Sequence, residues 1–158
     1  MIIRFSHGKD KSDTLTCIRD DGAITYAPSA VGVRHDLIHY AVETTLGCTE
    51  AFFGLVAAGR DVDDFGTKDG RKDTYPVEAI QVEFIVALLQ WPTLTDAELT
   101  EQLAIDCTNR GLPTPEISAE QWAAIHDRIG DLAARWAAIP AQGKLELPWP
   151  GPAQLVVS

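Results

Sequence analysis

Alternation of apolar and polar residues, the mark of a half-buried strand, is confined to the two ends of this chain; most of what lies between reads as helix. Near the start, Ile2-Ile3-Arg4-Phe5, Leu15-Thr16-Cys17-Ile18-Arg19 and Ala23-Ile24-Thr25-Tyr26 predict three short strands. The polar run from Ser6 to Asp13 reads as a hairpin loop. Asp20-Asp21-Gly22 reads as a tight turn, because Asp-Gly suits a two-residue hairpin whose central residues both take positive φ. Three strands cannot stand alone, so one face must pack on something else. Near the end, Lys144-Leu145-Glu146-Leu147 alternates again, and beyond the rigid bend Pro148-Trp149-Pro150-Gly151-Pro152 the apolar run Gln154-Leu155-Val156-Val157 is the candidate for a last strand. The economical arrangement returns them to the meander and closes an antiparallel sheet against about five helices. The fold class is α+β, in one domain over residues 1–158.

The first helix is expected from Val33 to Leu46, ended by Gly47, which supplies a left-handed residue at the terminus. The stretch from Thr49 to Gly59 is apolar nearly all round and predicts a buried helix, with Gly54 and Ala58 spaced to admit another backbone. Residues 60–75 mix acids, bases and glycines and read as an exposed loop. Pro76 opens a helix carrying Val77, Ile80, Phe84, Ala87 and Trp91 on one line, which Pro92 stops. Thr95-Asp96-Ala97-Glu98 and Ser118-Ala119-Glu120-Gln121 are capping-box signatures for two more helices. The first should turn Leu99, Leu103 and Cys107 inward. The second carries a seam of Trp122, Ile125, Ile129, Leu132, Trp136 and Ile139, read as a core helix, or alternatively as a homodimer contact through 122–139.

Composition narrows the function classes. A net charge of −10 argues against nucleic acid as a partner, since a phosphate footprint needs clustered Lys and Arg. No run approaches the roughly 18 apolar residues of a membrane span. Cys17, Cys48 and Cys107 are odd in number and show no paired spacing, as expected of reduced thiols. With no longer apolar run after Met1-Ile2-Ile3-Arg4, the expectation is a cytoplasmic protein, membrane-free, whose small-molecule or protein partner the sequence does not name.

The chemistry concentrates in the first helix. His35 and His39 are four apart, so both imidazoles stand on one side and can address a single ion. Glu43 extends the row, as a further ligand or as the group that orients His39. The run His35-Asp36-Leu37-Ile38-His39 resembles the HExxH motif of zinc metallopeptidases, with Asp36 in place of the glutamate. That resemblance implies metal binding by the two histidines and a general-base role for Asp36. It departs from the family in two ways. Aspartate is one methylene shorter, which sets its carboxylate roughly 1–1.5 Å back; and no further ligand stands at the family's spacing. His7, Glu50, His126 and the aspartates at 61, 63 and 64 are the candidates for it. The expected metal set is His35, His39 and Glu43, the expected cofactor zinc or another divalent transition metal, and the expected activity metal-dependent hydrolysis with Asp36 as the catalytic residue. The competing expectation is a non-enzymatic interaction or regulatory module with structural histidines.

Other patterns are weaker. Asp61-Val62-Asp63-Asp64-Phe65-Gly66 opens like a calcium-binding loop, but Phe65 and Lys72 stand where carboxylates are needed. Cys48 near a helix start invites a thiolate reading, with His39 as its base. The glycines form neither a phosphate-binding loop nor a dinucleotide fingerprint.

Overall fold

The computed structural model describes residues 1–10, 12–29, 31–65 and 75–151. The expected meander forms as β1 (Ile2–Ser6), β2 (Thr14–Ile18) and β3 (Ile24–Pro28), and β4 (Lys144–Pro148) returns to pair antiparallel with β1. The sheet order is β3-β2-β1-β4. Its register puts Ile3 between Cys17 and Leu147, and Phe5 between Leu15 and Leu145, so one face is a continuous apolar surface. The second C-terminal strand, expected at 154–157, lies outside the described residues.

The turn after β2 departs from the two-residue form. Arg19 and Ala23 close it by a backbone hydrogen bond of 2.9 Å, leaving Asp20, Asp21 and Gly22 in the loop, and of these only Gly22 has positive φ (88°). Asp21 keeps an ordinary backbone and accepts a bond from the Ala23 amide instead. A three-residue loop with glycine in the left-handed position satisfies the same strand twist.

Among the described residues five helices follow: α1 (Val33–Leu46), α2 (Phe52–Ala57), α3 (Val77–Leu89), α4 (Asp96–Asn109) and α5 (Ala119–Ala137), with a short 3-10 turn at Val62–Phe65. Gly47 ends α1 with φ 72°, as its position predicts. Both capping boxes form: Thr95 with Glu98, and Ser118 with Gln121. Two expectations need correction. The 49–59 helix shrinks to α2, exposed at Ala57 and Ala58, and Gly54 is small because the Thr49 carbonyl of the preceding turn lies against it. In α3 the buried line is Ala79, Val82, Ile85, Val86 and Leu89, while Val77 and Trp91 are exposed. That helix is apolar on most sides, so spacing alone cannot choose its inner face.

Helix α1 is the spine. Rows spaced by four give it three faces. Val33, Leu37 and Ala41 join the core against the sheet, with Ile3, Phe5, Leu132 and Leu147. Ile38 and Val42 join a second core with Val82, Val86, Leu103, Trp122 and Ile125. Each aliphatic side chain so buried contributes about 1.5–3 kcal/mol. The third row is His35, His39 and Glu43. The α5 seam is buried inside the chain at Trp122, Ile125 and Leu132, with Ile129 and Trp136 packed partly against the core. No helix among the described residues is long and apolar enough to cross a membrane.

Candidate metal centre

The third row of α1 would be expected at the margin of the buried face, but it lies deeper. The side chain of His39 is 2% exposed and that of Glu43 is fully buried. The reason is α2, which follows the Gly47 turn and folds back over this row: the Phe52 ring lies 5.5 Å from the His39 ring. Burying a carboxylate costs several kcal/mol unless its oxygens are paired. Here they are. Glu43 Oε1 accepts from His39 Nδ1 at 3.1 Å, and Glu43 Oε2 accepts from the Phe53 and Gly54 amides at 3.0 and 3.4 Å. These are amides at the start of α2, which lack partners within their own helix.

The other histidine is held in the same manner. His35 Nδ1 lies 3.3 Å from Asp36 Oδ1, and Asp36 Oδ2 accepts from Ser29 Oγ at 2.6 Å. In both histidines, then, a carboxylate engages Nδ1, and Nε2 is the nitrogen left for other work. The rings stand 4.8 Å apart, centre to centre, at 62°. Beside them lies a residue that the sequence pattern does not single out. Glu83, in the middle of α3, places Oε1 3.2 Å from His39 Nε2. One ligand atom from each of His35, His39 and Glu83 lies within 4.8 Å of the others. The signal was present in the sequence: Glu83 is a lone acid inside the apolar run Val82-Glu83-Phe84-Ile85.

Electrostatics follows from this packing. Burial disfavours the charged form of His39, but the hydrogen bonds and charges of Glu43 and Glu83 outweigh it and raise its pKa to about 9. Burial raises the Glu43 carboxyl above its ordinary value, with His39 and the two α2 amides opposing. Burial acts the same way on Glu83 but loses to His39 and His35, and its carboxyl falls below the ordinary value.

The remaining sequence candidates sit elsewhere. His7 bonds Asp13 at 3.0 Å and stacks on Trp136. His126 meets Asp96 at 2.8 Å. Asp61 faces Arg19 at 3.6 Å, and Asp64 accepts from the Asp61 amide. None of these, nor Glu43, belongs to the converging trio. Cys48 is buried, and burial together with Glu78 and Glu43 pushes its thiol well above the ordinary value, which removes the thiolate reading. A hollow of about 220 Å³ beside it is lined by Glu78, Val82 and Ile117, not by the histidines.

Chemically, His35, His39 and Glu83 offer two imidazole nitrogens and one carboxylate oxygen. Two ligand atoms on a tetrahedral zinc-like ion lie roughly 3.4 Å apart. The His39–Glu83 distance is already close to that. His35 is partly exposed and Glu83 exposed, whereas His39 is buried. No protein-family model matches the chain, and no curated protein or solved structure matches it either.

Proposed function

We propose that this protein binds a divalent transition-metal ion, zinc in the first place, through His35, His39 and Glu83. The observation that carries this reading is the shared wiring of the two histidines. Each has its Nδ1 engaged by a carboxylate of its own, Asp36 or Glu43, which orients the ring and raises its basicity toward an ion on the far nitrogen. In this role Asp36 and Glu43 are positioning residues. Asp36, engaged by Ser29 and His35, is poorly placed to act as a general base, and Glu83 replaces Glu43 as the carboxylate ligand.

Three protein ligands are the complement of catalytic zinc sites, which keep a position for water. Glu83 is 55% exposed, so the open side of the site faces outward. An ion held there would lower the pKa of a water toward about 7, the chemistry of hydrolysis. The reaction class that follows is metal-assisted hydrolysis.

A second reading rests on the raised pKa of His39. An imidazolium between Glu43 and Glu83 balances the buried charge with a proton alone, and the trio then serves to tie α1 to α3. Elemental analysis of untagged protein, followed by zinc titration of the stripped protein, separates the two. The metal reading expects one ion per chain and zinc-dependent thermal stabilisation that is lost in His39→Ala and Glu83→Gln. Substoichiometric metal, with melting that zinc leaves unchanged, overturns it in favour of the proton-held cross-link.

A further inference from the structure

Charge is unevenly distributed along the chain. Between residues 75 and 127 there are nine acidic side chains and one basic one, Arg110, so this stretch carries eight of the ten net negative charges. It contains α3, α4 and the start of α5. Helix α4 is held by one face, through Leu99, Leu103 and Cys107, and shows the rest to solvent. On that outer side is a hollow of about 330 Å³ lined by Leu94, Glu98, Glu101, Gln102 and Ile105. Ile105 is 45% exposed, and the turn that carries Leu94 also carries Trp91, 69% exposed. The hollow thus sets apolar side chains, Leu94 and Ile105, beside two carboxylates, Glu98 and Glu101.

We propose that this hollow docks a basic amphipathic segment of a partner protein, its apolar side chains on Leu94 and Ile105 and its Lys or Arg residues toward the acidic rim. Charge selects the occupant. A second copy of this chain meeting it face to face would bring the same acidic side and be repelled, and charge likewise disfavours anionic membranes and nucleic acids. A cationic segment meets no competing cation on α4: the helix has none, and Arg110 lies just past its end. In such an arrangement the apolar side chains of the segment anchor it and charge steers its approach. This site is separate from the metal centre and does not depend on it.

The test uses an 18-residue peptide of lysine and leucine at helical spacing, and a second peptide of the same composition with the leucines scattered round the helix. Each is titrated into the full isotope-labelled chain and followed by amide shifts. The expected result is saturable one-to-one binding of the first peptide, with shifts confined to residues around Leu94, Glu101 and Ile105. Binding should weaken at least tenfold for the scattered peptide, and tenfold in Glu101→Lys and in Ile105→Ser, variants at exposed positions whose melting should match the native chain. It should also weaken with added salt. Equal binding of both peptides, shifts that spread over the acidic surface or gather elsewhere, variants that bind as the native chain does, or no saturable binding would each overturn the proposal.

Discussion

His39 and His126 each face a carboxylate across a helix–helix contact, yet the two contacts do different things. At the α4–α5 contact His126 meets Asp96 at 2.8 Å with both side chains nearly half exposed, and the ring stacks near Trp122. At the α1–α3 contact His39 is sealed by α2, with one carboxylate on each ring nitrogen and a second histidine beside it. The pairing is the same in kind; burial and convergence are not. An exposed pair is worth at most about 1 kcal/mol because water competes for both partners. A buried pair stabilises little in net terms, but its halves cannot be removed separately without leaving an uncompensated group. A carboxylate beside a histidine is therefore no mark of a metal centre by itself. What matters is a second nitrogen aimed at further ligands.

That difference can be broken from several sides. The largest effect is expected from Glu43→Ala, which strips His39 and two α2 amides of their partner and opens a cavity. It should cost about 3–5 kcal/mol in denaturant unfolding. Next come the proposed ligands. His39→Ala and Glu83→Gln should each lower zinc affinity by about 10–100-fold by calorimetry, and Glu83→Gln, which takes one of the two carboxylates from the His39 ring at a half-exposed position, should destabilise the metal-free protein less than Glu43→Ala does. Asp36→Asn keeps the size of the side chain but weakens its hold on His35, and should cost about 10–100-fold in zinc affinity while the fold persists.

The pH dependence follows from His39, whose pKa stands at about 9 against an ordinary 6.5. A group raised in the folded state contributes its stability fully below the unfolded value and loses it as pH rises through the folded one. The metal-free protein should therefore become less stable between about pH 6.5 and 9 in unfolding experiments. Zinc should flatten the trend, since an ion on Nε2 takes the place of the proton. The smallest effect belongs to the other contact. His126→Ala should change stability by less than about 1 kcal/mol and leave zinc binding as it was.

Much of this was legible in the sequence, and the reasons are local. Strands β1 to β4, the Gly47 terminus and both capping boxes are decided by residues within a few positions of one another, and they form where the sequence predicts. The pair His35 and His39 was legible because helical spacing alone brings them together. Glu83 was not, because its meeting with His39 depends on how α3 lies across α1. Helix α3 is apolar on so many sides that periodicity does not fix its rotation, and a reading that turns Val77 and Trp91 inward has no reason to aim Glu83 at the histidines. The role of Glu43 was half legible. Its place in the row is local, but the α2 amides that occupy it come from a chain reversal beyond Gly47.

The most direct test of the proposed metal centre is zinc-edge X-ray absorption on protein loaded with one equivalent of the ion. Coordination by His35, His39 and Glu83 predicts two imidazoles and oxygen at about 2.0–2.2 Å, with one imidazole lost in His35→Ala. A sulfur shell near about 2.3 Å, or a spectrum that His35→Ala and Glu83→Gln leave unaltered, would contradict it.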